Sequence, residues 1–176
     1  MSRKAVLFCG LFVGCALITS LASAATIGTS NVTLAATATA SVSVLDPTIS
    51  LSATATDYDN DYVEAAGASG LRVRVRSNSS TGLALRVRCA DASPQIALAD
   101  LLVRTLTAPG TGGTSISTYT AITAADQTLW TTTVAQGAWR TITTDVRVEN
   151  LFNYDDALGG GTTNYTNTLT YTVLAQ

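Results

Sequence analysis

One segment near the start of the chain alternates apolar and hydroxyl residues over thirteen positions. Between residues 32 and 44 every even position is apolar, and the odd positions are almost all Thr or Ser. The apolar positions are Val32, Leu34, Ala36, Ala38, Ala40, Val42 and Val44. A period of two predicts a β-strand with one apolar face. At about 3.3 Å per residue the strand would be roughly 40 Å long, more than twice the usual length. This length predicts an arm that leaves its own domain.

The residues before this segment have the pattern of a secretory signal peptide. Arg3 and Lys4 form a positive start, residues 5–17 are mostly apolar, and Ala22-Ser23-Ala24 is a small-residue cleavage site. We therefore expect a signal peptide at 1–24, an N-terminal arm at 25–46 and a folded domain at 47–176. The mature chain is then secreted and contains no membrane segment. The alternative is a lipid anchor at Cys15, within a loosely lipobox-like sequence.

Composition limits the function classes that remain after cleavage. The mature chain keeps one thiol, Cys89, so it forms no internal disulfide. It has eight Arg against twelve acidic residues, a net charge of about −4, which argues against nucleic acid as the partner. His, the residue most often used for acid–base catalysis, is absent. The adjacent acids Asp155 and Asp156 are a pair of the kind that hydrolyses glycosides, but adjacent acids in a Gly-rich loop are common for other reasons. We therefore expect a protein that is not an enzyme.

Short alternating segments separated by turn residues continue through the rest of the chain. Apolar positions alternate from residue 49 to 55. Leu71, Val73 and Val75 then alternate with Arg, and a turn at 77–82 leads into a second alternating run that ends at Cys89. This pair predicts a β-hairpin with Cys89 facing inward. At the end of the chain, alternate apolar residues from 165 to 175 predict one more strand. About eight strands without helical periodicity predict an all-β, two-layer sandwich.

Several of these segments together resemble a known group of bacterial surface proteins. The signal peptide, the alternating arm, Val-Arg-Ser-Asn at 75–78 and Tyr-Thr-Asn-Thr-Leu-Thr-Tyr-Thr-Val at 165–173 look like pilin-type domains of the spore-coat-U and archaic chaperone-usher kind. The chain more distantly resembles WxL-type surface domains, although Trp130 is followed by Thr131 and Thr132. It also lacks the disulfide that is common in chaperone-usher subunits. The resemblance implies an immunoglobulin-like sandwich that lacks one strand, and assembly by a periplasmic chaperone and usher or another factor.

A strand supplied by a neighbouring copy would complete such a sandwich. Donation pairs the exposed N–H and C=O groups of an open sheet edge. Because donor and acceptor are different surfaces, the contact propagates head-to-tail into a homopolymer. We therefore expect an extracellular filament subunit, serving adhesion or biofilm cohesion, whose arm is the donor strand. Two alternatives stay open: residues 32–44 form an ordinary first strand within their own domain, or the chain is a monomeric surface module that binds polysaccharide or cell wall.

Two charged groups suggest further sites. On the predicted hairpin five Arg share one polar face, which predicts a patch for an anion or for an acidic region of another subunit: Arg72, Arg74, Arg76, Arg86 and Arg88. The alternative is a solvated strand face neutralised by nearby acids. The alternate carboxylates of Asp57, Asp59 and Asp61 match the start of a Ca²⁺ loop, although the Gly after the third acid and the later bidentate Glu are missing. An acidic turn is the alternative there, and no other cofactor is expected.

Three Asn-x-Ser/Thr sequences predict acceptor positions for N-glycosylation in a suitable host. They begin at Asn31, Asn78 and Asn164. A chain this rich in Thr contains such sequences by chance. Trp130 and Trp139 are expected to pack in the core or in loops, with a sugar-binding surface as the alternative.

Overall fold

The computed structural model describes residues 33–154 and 164–176. The chain divides into two compact units, Met1–Ala35 and Ala36–Gln176. Of the first unit only residues 33–35 are described, and all three are exposed. Several features of the sequence analysis lie outside the described residues. They are the predicted signal peptide, Cys15, Asn31, Val32 and the pair Asp155 and Asp156.

Within the described part of the second unit the chain is built mainly of strands. They are β1 (Ala40–Val44), β2 (Tyr62–Ala65), β3 (Leu71–Ser77), β4 (Leu83–Cys89), β5 (Leu101–Thr105), β6 (Thr120–Ala121), β7 (Gln127–Thr132), β8 (Gln136–Glu149) and β9 (Leu169–Ala175). A short helix α1 (Ala55–Asn60) follows β1, and 3₁₀ turns lie at Gly67–Ser69 and Leu151–Asn153. The predominance of strands confirms the predicted all-β class.

The strands form two antiparallel sheets. The larger sheet has the order β1-β3-β8-β5-β6, with β2 paired to the far end of β8, and the smaller sheet has the order β7-β4-β9. Alternate residues of both sheets meet in one core, where Val73 and Val75 of the larger sheet lie with Leu85, Val87 and Cys89 of the smaller one. This confirms a two-sheet sandwich and the inward position of Cys89.

The predicted hairpin between residues 71 and 89 is wrong. β3 pairs with β1 and β8, whereas β4 pairs with β7 and β9, so the two strands belong to different sheets. Alternation shows which residues of a strand face the core, but it does not identify the neighbouring strand. Residues 78–82 are long enough to cross the roughly 10 Å between packed sheets. Gly82 ends this crossing with φ +97°, a conformation that favours glycine.

The N-terminal segment is also different from the single long strand predicted. Only Ala40–Val44 is a strand, and it pairs with β3 of the same chain, Ala40 opposite Ser77 and Val44 opposite Val73. The alternative of a strand within its own domain therefore holds for residues 40–44. Val42 packs against the core from this position. Residues 33–39 keep the alternating sequence but are exposed and form no strand, because no strand of the described chain lies beside them.

Candidate functional site

A groove opens between the two sheets at one end of the sandwich. Its volume is about 1070 Å³. Its floor is apolar core shared by β2, β3, β5, β8 and the turn that follows β8, formed by Val63, Leu71, Leu101, Val146, Val148 and Leu151. Its two walls are residues 44–53, which follow β1, and residues 164–171, which lead into β9. The groove is thus an opening through which the core of the sandwich is accessible.

The first wall has the sequence of a strand but no strand partner. Ile49 and Leu51 are half buried and pack against the core, as the alternation from residue 49 predicts. However, residues 47–53 form no backbone–backbone hydrogen bond with any described residue, and the strand predicted here is not formed. Pro47 lacks an N–H and interrupts continuation from β1. The wall therefore presents unpaired backbone along the groove.

The second wall leads into β9, whose outer edge is paired with no described strand. Ala90 N–H donates to Thr168 O at 2.8 Å, and Gln176 N–H donates to Gly82 O at 3.1 Å. Hydrogen-bonded and non-hydrogen-bonded positions alternate along an antiparallel pair. The backbone groups of Leu169, Tyr171 and Val173 therefore point away from β4, and no described strand pairs with them. Their side chains pack against the core, which confirms the face predicted for this segment.

Side chains hold the start of β9 in place beside the groove. The Asn167 carboxamide accepts from Ile96 N–H at 2.9 Å and donates to Ile96 O at 2.7 Å. Tyr171 lines the groove, and its buried hydroxyl oxygen has no hydrogen-bond partner among the described residues. Burial raises the pKa of Tyr171 above its ordinary value. A ligand with a polar group at this position would satisfy that hydroxyl.

A buried carboxylate supports the far side of the groove. Asp100 accepts hydrogen bonds from Asn150 Nδ2 at 2.6 Å and from the Tyr154 hydroxyl at 2.7 Å. Burial, together with the bond to Asp100, raises the pKa of Tyr154 to about 12. The Tyr154 ring packs edge-on against Tyr165, with 5.2 Å between centroids. These contacts hold Tyr154 and Tyr165 in place, and both residues line the groove.

At the opposite end of β3, Asn78 fixes the residues that precede β1. Its Nδ2 donates to Thr37 O at 2.9 Å, and its Oδ1 accepts from Thr39 N–H at 2.6 Å. Leu34 is 87% exposed and Ala36 and Ala38 are also exposed. The sequence marked Asn78 only as a glycosylation acceptor; no pattern indicated its contact with residues about forty positions away. A glycan would replace one of the two hydrogens on this Nδ2.

The five Arg predicted to form one patch lie on two different sheets. Arg72, Arg74 and Arg76 are on the outer face of the larger sheet, whereas Arg86 and Arg88 belong to the smaller sheet. The single patch is therefore wrong, because it depended on the hairpin. Arg72 forms a bidentate pair with Asp46, at 2.8 Å for both contacts, and the Arg72 hydrogen bond lowers the pKa of the Asp46 carboxyl. Arg88 lies 3.6 Å from Asp126.

The predicted Ca²⁺ site is not formed. Residues 55–60 are helical, and Asp57 accepts from the N–H and hydroxyl of Thr54 at 2.7 and 2.6 Å, which caps the helix. Residues two apart on a helix point in different directions, so Asp59 does not converge with its neighbours. Asp61 ends the helix at φ 59°. In the described part of the chain no three His, Cys, Asp or Glu side chains are placed to hold a metal ion.

An ion-pair network on the outer face of the larger sheet was not predicted. Glu64 accepts hydrogen bonds from the Tyr119 hydroxyl at 2.6 Å and from Arg147 at 2.7 Å. Both bonds lower the pKa of Glu64, and the bond from Tyr119 has the larger effect. Beside them the fully buried carboxylate of Asp145 accepts from Arg104 at 2.8 Å. The acids and Arg residues are distant in sequence, and only the strand pairing brings them together. The network is internally satisfied, which is typical of a structural role.

Cys89 is buried, and its Sγ lies 3.7 Å from an Asp91 carboxylate oxygen. The helices among the described residues are too short to span a membrane. Comparisons with protein-family models, with curated proteins and with solved structures return no match.

Proposed function

We propose that this protein is the structural subunit of an extracellular filament, in which residues 32–39 of one copy fill the groove of the next. The observation that carries the proposal is the groove itself. It lies between residues 47–53, which form no backbone–backbone hydrogen bond with any described residue, and the edge of β9 at Leu169 and Tyr171, whose backbone groups point away from β4. An apolar floor separates the two. An inserted strand would pair with both walls and cover the floor. This is β-augmentation, a known mode of peptide recognition.

The strand order supports the same conclusion. An immunoglobulin-like sandwich has sheets A-B-E-D and C-F-G. The order β1-β3-β8-β5 corresponds to the first of these, and β4-β9 corresponds to C-F. Among the described strands none is hydrogen-bonded to β9 on the side where G would lie, although β1 comes close to β9. We infer that the inserted strand takes this place.

The free edge of β9 also lacks the features that protect sheet edges. Natural proteins use charges, Pro residues or bulges to prevent association at an exposed edge. The seven residues of β9 include no charge and no Pro, and their register with β4 is continuous. Such an edge is prone to pairing with another chain, and we infer that pairing is its role.

Donor and acceptor lie at opposite ends of the sandwich. Asn78, just after the end of β3, holds Thr37 and Thr39, whereas Leu71, at the start of β3, lines the groove. Seven strand residues separate these ends by about 20 Å. A contact between two different surfaces continues from copy to copy, so it produces a fibre unless it closes into a ring.

Substitutions on the two faces of the donor segment test the proposal. The chain from residue 25 onward is prepared as wild type, as Leu34→Asp and as the matched control Thr33→Asp. We expect Leu34→Asp to abolish assembly, because it buries a charge against an apolar floor. Thr33→Asp places the same charge on the other face and should leave assembly intact. Negative-stain microscopy and light scattering measure assembly. A wild-type chain that stays monomeric, or equal effects of the two substitutions, would contradict the proposal.

A further inference from the structure

The outer face of the larger sheet has more positive charge at one end than its own acids neutralise. Five Arg lie on this face. Three are paired: Arg72 with Asp46, Arg104 with Asp145, and Arg147 with Glu64 and Glu149. No described carboxylate lies within 4.0 Å of Arg74 or Arg76. In a chain with an excess of acids, these two neighbouring cations have no acidic partner among the described residues.

An exposed aromatic ring holds both unpaired guanidinium groups. The Cζ atoms of Arg74 and Arg76 lie 4.8 and 4.5 Å from the centroid of the Trp139 ring, which is 38% exposed. Cation–π contacts of this kind attract the guanidinium to the ring. The expectation that Trp139 packs in the core or in a loop is therefore wrong, because it lies on a strand of the outer face. The ring orients two Arg side chains that would otherwise repel each other.

Hydroxyl groups surround this pair. Ser41 of β1 lies opposite Arg76, and Ser43 lies opposite Arg74. On the other side Thr141 of β8 also lies opposite Arg74. The surface thus presents two cations and one indole flanked by the residues Ser41, Ser43 and Thr141, which carry hydroxyls. Neither of the two cavities described, at Arg72 and Leu106 and between the sheets, is lined by Arg74, Arg76 or Trp139.

We propose that Arg74, Arg76 and Trp139 form a binding platform for a carboxylate-bearing polysaccharide. Guanidinium groups bind carboxylates through two parallel hydrogen bonds, and the flanking hydroxyls match the hydroxyls of a sugar chain. A nucleic acid fits less well, because the net negative charge of the chain opposes a long polyanion. The platform is on the outer face and the groove is between the sheets, so binding does not depend on the proposed polymerisation.

The test measures binding of an oligogalacturonate to the full mature chain by calorimetry at low salt. Its methyl ester, which lacks the charge, is the ligand control. The double variant Arg74→Gln/Arg76→Gln is compared with Arg86→Gln/Arg88→Gln, which removes the same two charges at the same spacing from the smaller sheet. Loss of two charged contacts should weaken binding by about tenfold or more in the first variant. The control variant should bind within about twofold of wild type.

Each other outcome overturns the proposal. Absence of oligogalacturonate binding by the wild-type chain removes the ligand class, and equal weakening by both double variants shows non-specific charge attraction. Binding of poly-glutamate or duplex DNA as tightly as the oligogalacturonate assigns the platform to a different macromolecule. Circular dichroism of each variant establishes that it is folded. Since Leu34→Asp leaves the platform intact, binding by that variant separates this proposal from the filament.

Discussion

Substitution of four glycines by alanine tests the chain crossing between the two sheets. The glycines differ in two respects, the sign of φ and the space for a Cβ atom. At Gly137 φ is not positive, and a Cβ atom added there would have no neighbour within 4 Å. Gly67 has the same open space, but its φ is +60°. Gly113 has no positive φ, but its Cβ would lie 2.0 Å from Thr131 O. Gly82 combines φ +97° with a contact of 1.9 Å to Thr132 O.

The expected losses of stability follow from these two terms. Gly137→Ala should be neutral or stabilise by about 0.4–1 kcal/mol, because alanine restricts the unfolded chain. Positive φ costs a residue with a Cβ about 1–2 kcal/mol, so Gly67→Ala should lose about 1 kcal/mol. A Cβ forced against backbone costs about 1–3 kcal/mol at Gly113. Gly82→Ala combines both terms and should lose about 2–5 kcal/mol.

Urea unfolding, followed by fluorescence of the fully buried Trp130, measures each free energy of unfolding. The protein concentration is kept low enough that the chain is monomeric, so that assembly does not add to the measured value. If Gly82→Ala unfolds within about 1 kcal/mol of Gly137→Ala, then Gly82 does not hold the strained, closely packed turn described. The crossing between β3 and β4, which replaces the predicted hairpin, would then be in doubt.

Three further predictions concern the edge, the arm and the ion pairs. In the monomer the backbone amides of Leu169, Tyr171 and Val173 should exchange rapidly with solvent, and assembly should slow their exchange by about one or more orders of magnitude. Residue-resolved hydrogen exchange measures these rates, and exchange that is unchanged by assembly would contradict strand insertion. Asn78→Ala removes the side-chain hydrogen bonds to Thr37 and Thr39, of about 0.5–1.5 kcal/mol each, so proteolysis before β1 should accelerate while global unfolding stays nearly unchanged. The folded pKa of Glu64 is lowered from 4.5, so its contribution is present above that pH and is lost as the pH falls through the folded value. Stability measured between pH 6 and 3 should therefore fall less for Glu64→Gln than for wild type, and equal slopes would show that this carboxylate is not stabilised by folding.

Sequence patterns predicted which faces of the strands are buried, because alternation depends on neighbours two positions apart. Val73, Val75 and Cys89 are buried as expected, and Val173 packs against the core. The same patterns did not predict pairing. Leu83 could follow β3 in a hairpin or cross to the other sheet, since both arrangements bury the same side chains. Pairing is decided by contacts between distant segments, which a local pattern does not contain.

The groove was less predictable than the strands for the same reason. It depends on the segment at 47–53 and on β9, which are more than 110 positions apart. The sequence indicated that each has an apolar face, but not that their backbones remain unpaired. The contacts of Asn78 and of the Trp139 ring were also not predicted, although a sugar-binding surface was the alternative given for Trp139. Their contacts, with Thr37 and with Arg74 and Arg76, follow from strand register rather than from a motif.

The remaining question is whether the donor segment would enter its own groove instead of that of a neighbour. β1 runs from the end held by Asn78 toward the groove, so Thr37 and Thr39, which contact Asn78, lie at the end away from the groove. To return, the chain must reverse before residue 39 and then cover about 20 Å. Residues 32–39 read Val-Thr-Leu-Ala-Ala-Thr-Ala-Thr and contain no Gly, Pro, Asn or Asp, the residues that dominate tight turns. A reversal is therefore disfavoured, whereas an extended segment of this kind can enter an adjacent copy without turning. The same alternation that predicts a strand thus favours pairing between copies over pairing within one.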